Sequence, residues 1–247
     1  SDICNKIDQK HGVSTIKNQL YCQFKTDGRG NNMASIVYLR DDLSQEVLIE
    51  DIARDPIVST DGKYTWCVTD NDVYCIHMNE LLPTVTRSGI NPALYRKWPY
   101  LPWCTSRDGT MLFFIESNDE NAIGGALYQT SADSISIRHK IADHVAWCEC
   151  DIDGNVFFMG NVTYNTDVRP GMNGINRSLC RIDPDGRIIV LVNDISAFFV
   201  LGNQVFYLKD RDLYGLGEGS DRCFIRGFSN PDWISYKRFL FTQSKQW

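Results

Sequence analysis

A chain of 247 residues, 43% apolar and 23% charged, carries enough apolar side chain to bury a core of its own. Its formal net charge of −6 leaves no basic excess for general binding to nucleic acid or to an anionic membrane surface. No apolar run approaches the ~20 residues that a membrane-spanning helix requires, and "IIVLV" at 188–192 has the length of a strand. The nine cysteines are odd in number and do not form the dense framework of a small secreted domain. Cys67, Cys75 and Cys180 sit inside apolar runs, where a thiol acts as a small hydrophobe and points to a reducing compartment. The sequons at Asn161 and Asn176 point the other way, to secretion, so the compartment stays open.

In chain order the sequence repeats itself. Residues 2–8, "DICNKID", read as a short strand around Cys4. The first hairpin octet, "TIKNQLYC" from Thr15, is followed by the connection 25–34 and the strand "IVYLR". Residues 44–55, "SQEVLIEDIARD", could be helical by periodicity, but their position predicts an outer strand and a connection. Then come the octet "STDGKYTW" from Ser59, the strand "DVYCI" and the long connection 87–103. The octet "SRDGTMLF" from Ser106, the connection 117–125 and the strand "ALYQT" follow. Next are the octet "DIDGNVFF" from Asp151, the connection 160–177 and the strand "SLCRI". The last are "VLGNQVFY" from Val200, the strand "DLYGL" and "SYKRFLFT" from Ser235. Each octet predicts a two-residue turn (Asp-Gly, Gly-Asn or Lys-Asn) between strands, the residues that tight antiparallel hairpins demand.

The octets begin 44, 47, 45, 49 and 35 residues apart, the length of one four-stranded propeller blade. The expected fold is therefore all-β: a six-bladed β-propeller forming a single domain over 1–247, with a five-bladed ring as the alternative. The N- and C-terminal strands are expected to share the last blade and so close the ring. The segment from "SLCRIDPDGRIIVLV" through "YKRFLFTQ" resembles the six-bladed repeats of the low-density-lipoprotein-receptor (YWTD-like) group, although the tetrapeptide itself is absent. That resemblance implies a fold and a binding role, and assigns no site residue.

"STDGKYTW" also resembles the Asp box of sialidases with its glycine one place early. In that family the box is a structural turn, and catalysis uses an arginine triad. The arginines here (Arg54, Arg87, Arg96, Arg107, Arg138, Arg169) are scattered, so the octet is read as hairpin chemistry with Asp capping backbone amides. "GLGEG" at 215–219 opens no helix and reads as a turn. His139, His144, Cys148 and Cys150 suggest zinc only weakly, because no second ligand pair has the required spacing. No cofactor is expected.

The long connections all belong to one face of the predicted ring, where loops on a rigid scaffold commonly carry function. The connection 87–103 concentrates Tyr95, Trp98, Tyr100 and Trp103, residue types favoured as interface anchors and sugar platforms. The leading expectation is a non-catalytic recognition propeller binding a protein or glycan near blades three and four. Trp98, Tyr100 and Tyr95 would anchor the partner, Arg96 and Lys97 would serve charged groups, and Asn173 and Asn176 would hydrogen-bond. One alternative is a small hydrolase or lactonase with Asp143, His144 and Glu149 at the channel mouth beside a metal. Another is a structural subunit of a larger assembly.

Overall fold

The computed structural model describes residues 14–17, 20–26, 32–52, 56–59, 61–69, 72–79, 82–89, 103–116, 125–164, 175–183, 185–217 and 220–227. These form five four-stranded antiparallel sheets, each a meander in sequence order. The first sheet holds β1 (Ser14–Lys17), β2 (Leu20–Thr26), β3 (Asn32–Leu39) and β4 (Gln45–Ile52). The second holds β5 (Ile57–Val58), β6 (Tyr64–Val68), β7 (Val73–Met78) and β8 (Pro83–Arg87). The third holds β9 (Trp103–Thr105), β10 (Met111–Glu116), β11 (Gly125–Ser131) and β12 (His139–Val145). The fourth holds β13 (Trp147–Cys150), β14 (Val156–Tyr164), β15 (Ile175–Ile182) and β16 (Ile188–Val192). The fifth holds β17 (Ala197–Leu201), β18 (Gln204–Lys209), β19 (Asp212–Gly215) and β20 (Arg222–Ile225).

Five of the six octets thus join the first and second strands of a sheet, and the five aromatic or Cys columns are the third strands. The segment 44–55 gives the fourth strand of its sheet, as its position predicts. The sixth octet and residues 2–8, on which ring closure depends, lie outside the described residues. No helix among the described residues is long and apolar enough to cross a membrane.

The octet turns are not all two residues long. Only the fifth sheet has a described two-residue turn, Gly202-Asn203, with positive φ at Gly202 alone, the pattern of a type II′ hairpin. In the second sheet the Ser59 N–H donates to the Tyr64 carbonyl, which closes a wider loop. Side chains fill that loop. The Ser59 hydroxyl donates to Asp61 Oδ1 at 2.7 Å and accepts the Tyr64 N–H at 3.0 Å, while Asp61 Oδ1 also takes the Lys63 N–H at 2.9 Å. The third sheet repeats the pattern with Ser106, Asp108, Thr110 and Met111. The near-Asp-box octet is therefore a side-chain-capped turn that occurs twice, and its serine matters as much as its aspartate.

Alternation along each strand sends side chains to opposite faces, so the core forms between sheets. Leu20, Ile36 and Ile49 of the first sheet meet Cys67 and Ile76 of the second. Trp66 and Val68 meet Leu112 and Phe114 across the next seam. Phe113, Ile115 and Leu127 meet Cys148, Phe158 and Cys180, and Phe157 and Leu179 meet Phe198 and Tyr207. Cys67, Cys75 and Cys180 are buried, as apolar residues would be. Two faces have no described neighbour sheet, yet their residues are covered. Tyr21 and Val37 on the first sheet are 6% and 0% exposed, and Phe199 and Phe206 on the fifth are 2% and 5% exposed.

Candidate functional site

Antiparallel meanders put the β1–β2 type of turn and the third-to-fourth-strand turns on one edge of every sheet. The second-to-third-strand and sheet-to-sheet connections fall on the other, which carries the long loops. On that loop-bearing edge the short link between β6 and β7 ends in Asp72, which is 1% exposed. Its Oδ1 accepts from the Val73 N–H at 2.8 Å, the Ser88 hydroxyl at 2.8 Å and the Gly89 N–H at 2.9 Å. Its Oδ2 accepts from the Arg87 guanidinium. A buried carboxylate is tolerable only when so satisfied, and charge-assisted bonds of this kind are the strong ones. Asp72 therefore fixes residues 87–89, the root of the aromatic-rich connection 87–103. The hydrogen bond to Asp72 in turn raises the pKa of Arg87 and keeps it charged.

Of the predicted binding residues, Tyr95, Arg96, Lys97, Trp98, Tyr100 and Asn173 lie outside the described residues. Asn176 stands in β15 opposite Thr163 of β14. Trp103 is half-buried in β9 and packs against the core between the second and third sheets, so it belongs to the scaffold. Asp72 was not among the candidates. Its one sequence signal is an acidic residue directly before the third strand, "VYCIHM".

The opposite edge is a row of turns laced to each other. The Trp66 indole N–H donates to the Gly109 carbonyl at 2.7 Å. Gly109 has φ +72°, and a Cβ there would stand 2.4 Å from the Ser59 Cβ, so the second and third turns touch where only glycine fits. Arg107 and Asp153 pair at 3.3 Å, Asn203 Nδ2 donates to Asp153 at 2.6 Å, and the Ile152 N–H donates to the Gly202 carbonyl at 3.2 Å. A shallow depression of about 430 Å³ lies among Asp61, Ser106, Arg107, Asp108, Asp153 and Gly154. Its carboxylates are already engaged. The Ser106 hydroxyl, followed by the Thr110 N–H and hydroxyl, holds the Asp108 carboxyl below the usual carboxylate range. Held ionised by these hydrogen bonds, Asp108 is a poor proton donor.

The set proposed for a channel mouth is not assembled. Asp143 and His144 are exposed on β12, a fourth strand, and Asp143 pairs with Lys140 at 3.0 Å. Glu149 is on β13, a first strand, and accepts the Trp147 indole N–H at 3.0 Å and the Val200 N–H at 2.7 Å. It stitches the fourth sheet to the fifth. Two residues near in sequence thus fall on the outermost strand of one sheet, and the third on the first strand of the next. The zinc set divides in the same way, since His139 and His144 are on β12 and Cys148 and Cys150 on β13. Among the described residues no group of three or more His, Cys, Asp and Glu is placed to hold a metal ion. Cys148 and Cys150 instead meet Cys104 of β9, whose thiol is pushed well above the ordinary range by burial and then by its contacts with those two.

No protein-family model matches the chain, and no curated protein matches it. Solved structures do. The chain is similar to the β-propeller domain of the Trilobed protease from Pyrococcus furiosus, at 11% identity and a TM-score of 0.52, over 89% of this chain and 72% of that one. It is also similar to dipeptidyl peptidase 4 from Porphyromonas gingivalis, at 11% identity and a TM-score of 0.53, over 85% of this chain and 38% of that one. Identities this low speak for fold alone. The five tandem meanders are β-propeller-like.

Proposed function

We propose that the chain is the propeller of a hydrolase system acting on polypeptide, and that its loop-bearing edge at the second and third sheets receives the substrate. The observation that carries this is the likeness, over more than four-fifths of the chain, to parts of two proteins named as a protease and a peptidase. The chain spans 38% of the length of the dipeptidyl peptidase. Fluorescence anisotropy with labelled unstructured peptides tests the reading, with saturable binding at about micromolar Kd expected. Absence of binding up to millimolar peptide would reject it. The same protein incubated with peptide anilides and lactones reports where catalysis resides: turnover puts the reacting groups within these 247 residues, and binding without turnover puts them elsewhere.

A second reading is recognition of a folded protein or a glycan without catalysis. It rests on the aromatic side chains of the connection 87–103 in the sequence, whose root at Ser88 and Gly89 is held by Asp72. In either reading Trp98→Ala with Tyr100→Ala should weaken binding at least tenfold with the melting temperature unchanged. A lower melting temperature would instead make these aromatics part of the core.

The ring itself is proposed to contain six sheets, the sixth drawn from residues 228–247 and 1–13. Support comes from the covered outer faces at Tyr21 and Val37 and at Phe199 and Phe206, together with the octet and strand patterns left over at the two chain ends. Kinship with the YWTD-like repeats belongs to the same proposal. Deleting residues 229–247 should then abolish cooperative thermal unfolding. A truncated chain that still melts in one sharp transition would favour a five-sheet ring.

A further inference from the structure

The third and fourth sheets meet along their first strands, and three thiols lie at that seam. Cys104 of β9 and Cys148 of β13 lie in one buried cluster, with Cys150 of β13 packed against it. The period of two along β13 puts Cys148 and Cys150 on one face, the face packed against the third sheet. Their access to solvent differs. Cys104 and Cys148 are 8% and 1% exposed, whereas Cys150 is only half-buried. A reagent arriving from solvent reaches Cys150 first, and the nearest second sulfur on the opposing strand is Cys104. Among the described residues the cysteines carry no disulfide.

We propose that Cys104 and Cys150 are a redox-active pair that closes to a disulfide between the third and fourth sheets when the protein meets a low-molecular-weight disulfide. The chemistry balances. The Cys150 thiol loses its proton, attacks one sulfur of the small disulfide and forms a mixed disulfide, releasing one small thiol. Cys104 then loses its proton and attacks Cys150 Sγ, and the second small thiol leaves. Two protein thiols are oxidised and one small disulfide is reduced. Burial and the neighbouring thiols keep Cys104 protonated, so it is unreactive by itself and acts only on a sulfur delivered beside it. Cys148 shares the face but is shut away from any reagent by the surrounding apolar side chains. Nor can Cys148 and Cys150 readily join each other, because alternate side chains of a strand run parallel and do not converge.

The test uses the full chain, reduced, desalted, incubated with oxidised glutathione, alkylated under denaturing conditions and digested with trypsin. The expected product is a linked pair of peptides, 98–107 with 141–177, in protein lighter by two hydrogens. Cys148→Ser should keep the link and Cys150→Ser should abolish it. Cys104→Ser should stop at a stable glutathione adduct on Cys150. The wild-type map decides alone should a serine variant fail to fold. Alkylation of both Cys104 and Cys150 after oxidation overturns the proposal, as does a wild-type adduct that never resolves or a link from Cys104 to Cys148.

Discussion

The two edges of the sheets use the same residue type, aspartate, to opposite ends. On the turn-bearing edge Asp61 and Asp108 satisfy donors within five residues of themselves, and the turns they cap then pack on one another. On the loop-bearing edge Asp72 reaches 15 to 17 residues along the chain to grip Arg87, Ser88 and Gly89. A local cap stabilises one hairpin. A long-range carboxylate holds residues 87–89, where the connection to the third sheet begins. An Asp-rich edge is thus not a site by composition alone, whereas one buried Asp with distant partners marks where the scaffold anchors a connection.

Removing the long-range carboxylate should have the largest effect. Asp72→Ala strands the Val73 and Gly89 N–H groups and the Ser88 hydroxyl, a loss of about 3 kcal/mol and a fall in melting temperature of roughly 6–12 °C. Asp72→Asn should cost less and still weaken peptide binding, measured by anisotropy. Equal effects from Asp72→Ala and Asp61→Ala would erase the contrast between the edges.

Next come the glycines of the turn edge. Gly109→Ala meets both a positive φ and the Ser59 Cβ at 2.4 Å, whereas Gly202→Ala meets a positive φ with nothing within 4 Å. The first should cost about 2 kcal/mol and the second about 1 kcal/mol, both read from urea midpoints. A Gly109→Ala protein no weaker than Gly202→Ala would show that the turns do not lean on each other.

The smallest effect is electrostatic. Asp108 has a depressed folded-state pKa because the Ser106 hydroxyl and the Thr110 donors favour its charged form. Its contribution is therefore complete above the unfolded value of about 3.9 and is lost as pH falls through the lower folded value. The stability gap between wild type and Asp108→Asn should be constant from about pH 7 to 5 and shrink toward pH 2. A gap that widens on acidification would mean that Asp108 is held neutral.

The meanders were legible because their signals are local. Alternation in "IVYLR" and "DVYCI" and the Asp-Gly turns need no knowledge of any other sheet. Turn length was less legible, since Ser59 and Ser106 widen their loops through side-chain bonds that an Asp-Gly dipeptide does not disclose. The channel-mouth set Asp143, His144 and Glu149 failed for a related reason. Closeness along the chain says nothing of rank within a sheet, and β12 and β13 stand at opposite sides of their own sheets.

By itself the sequence determined the strands, their meander order and their spacing, because period-two burial and hairpin chemistry act between residues a few positions apart. Which side chains meet across the seams was decided by the tertiary structure alone. The Asp72 clamp, the Glu149 stitch and the Cys104, Cys148 and Cys150 cluster all join segments whose distance is set by how whole sheets pack. Packing of apolar faces is non-directional, and no local pattern encodes the partner that it brings into reach.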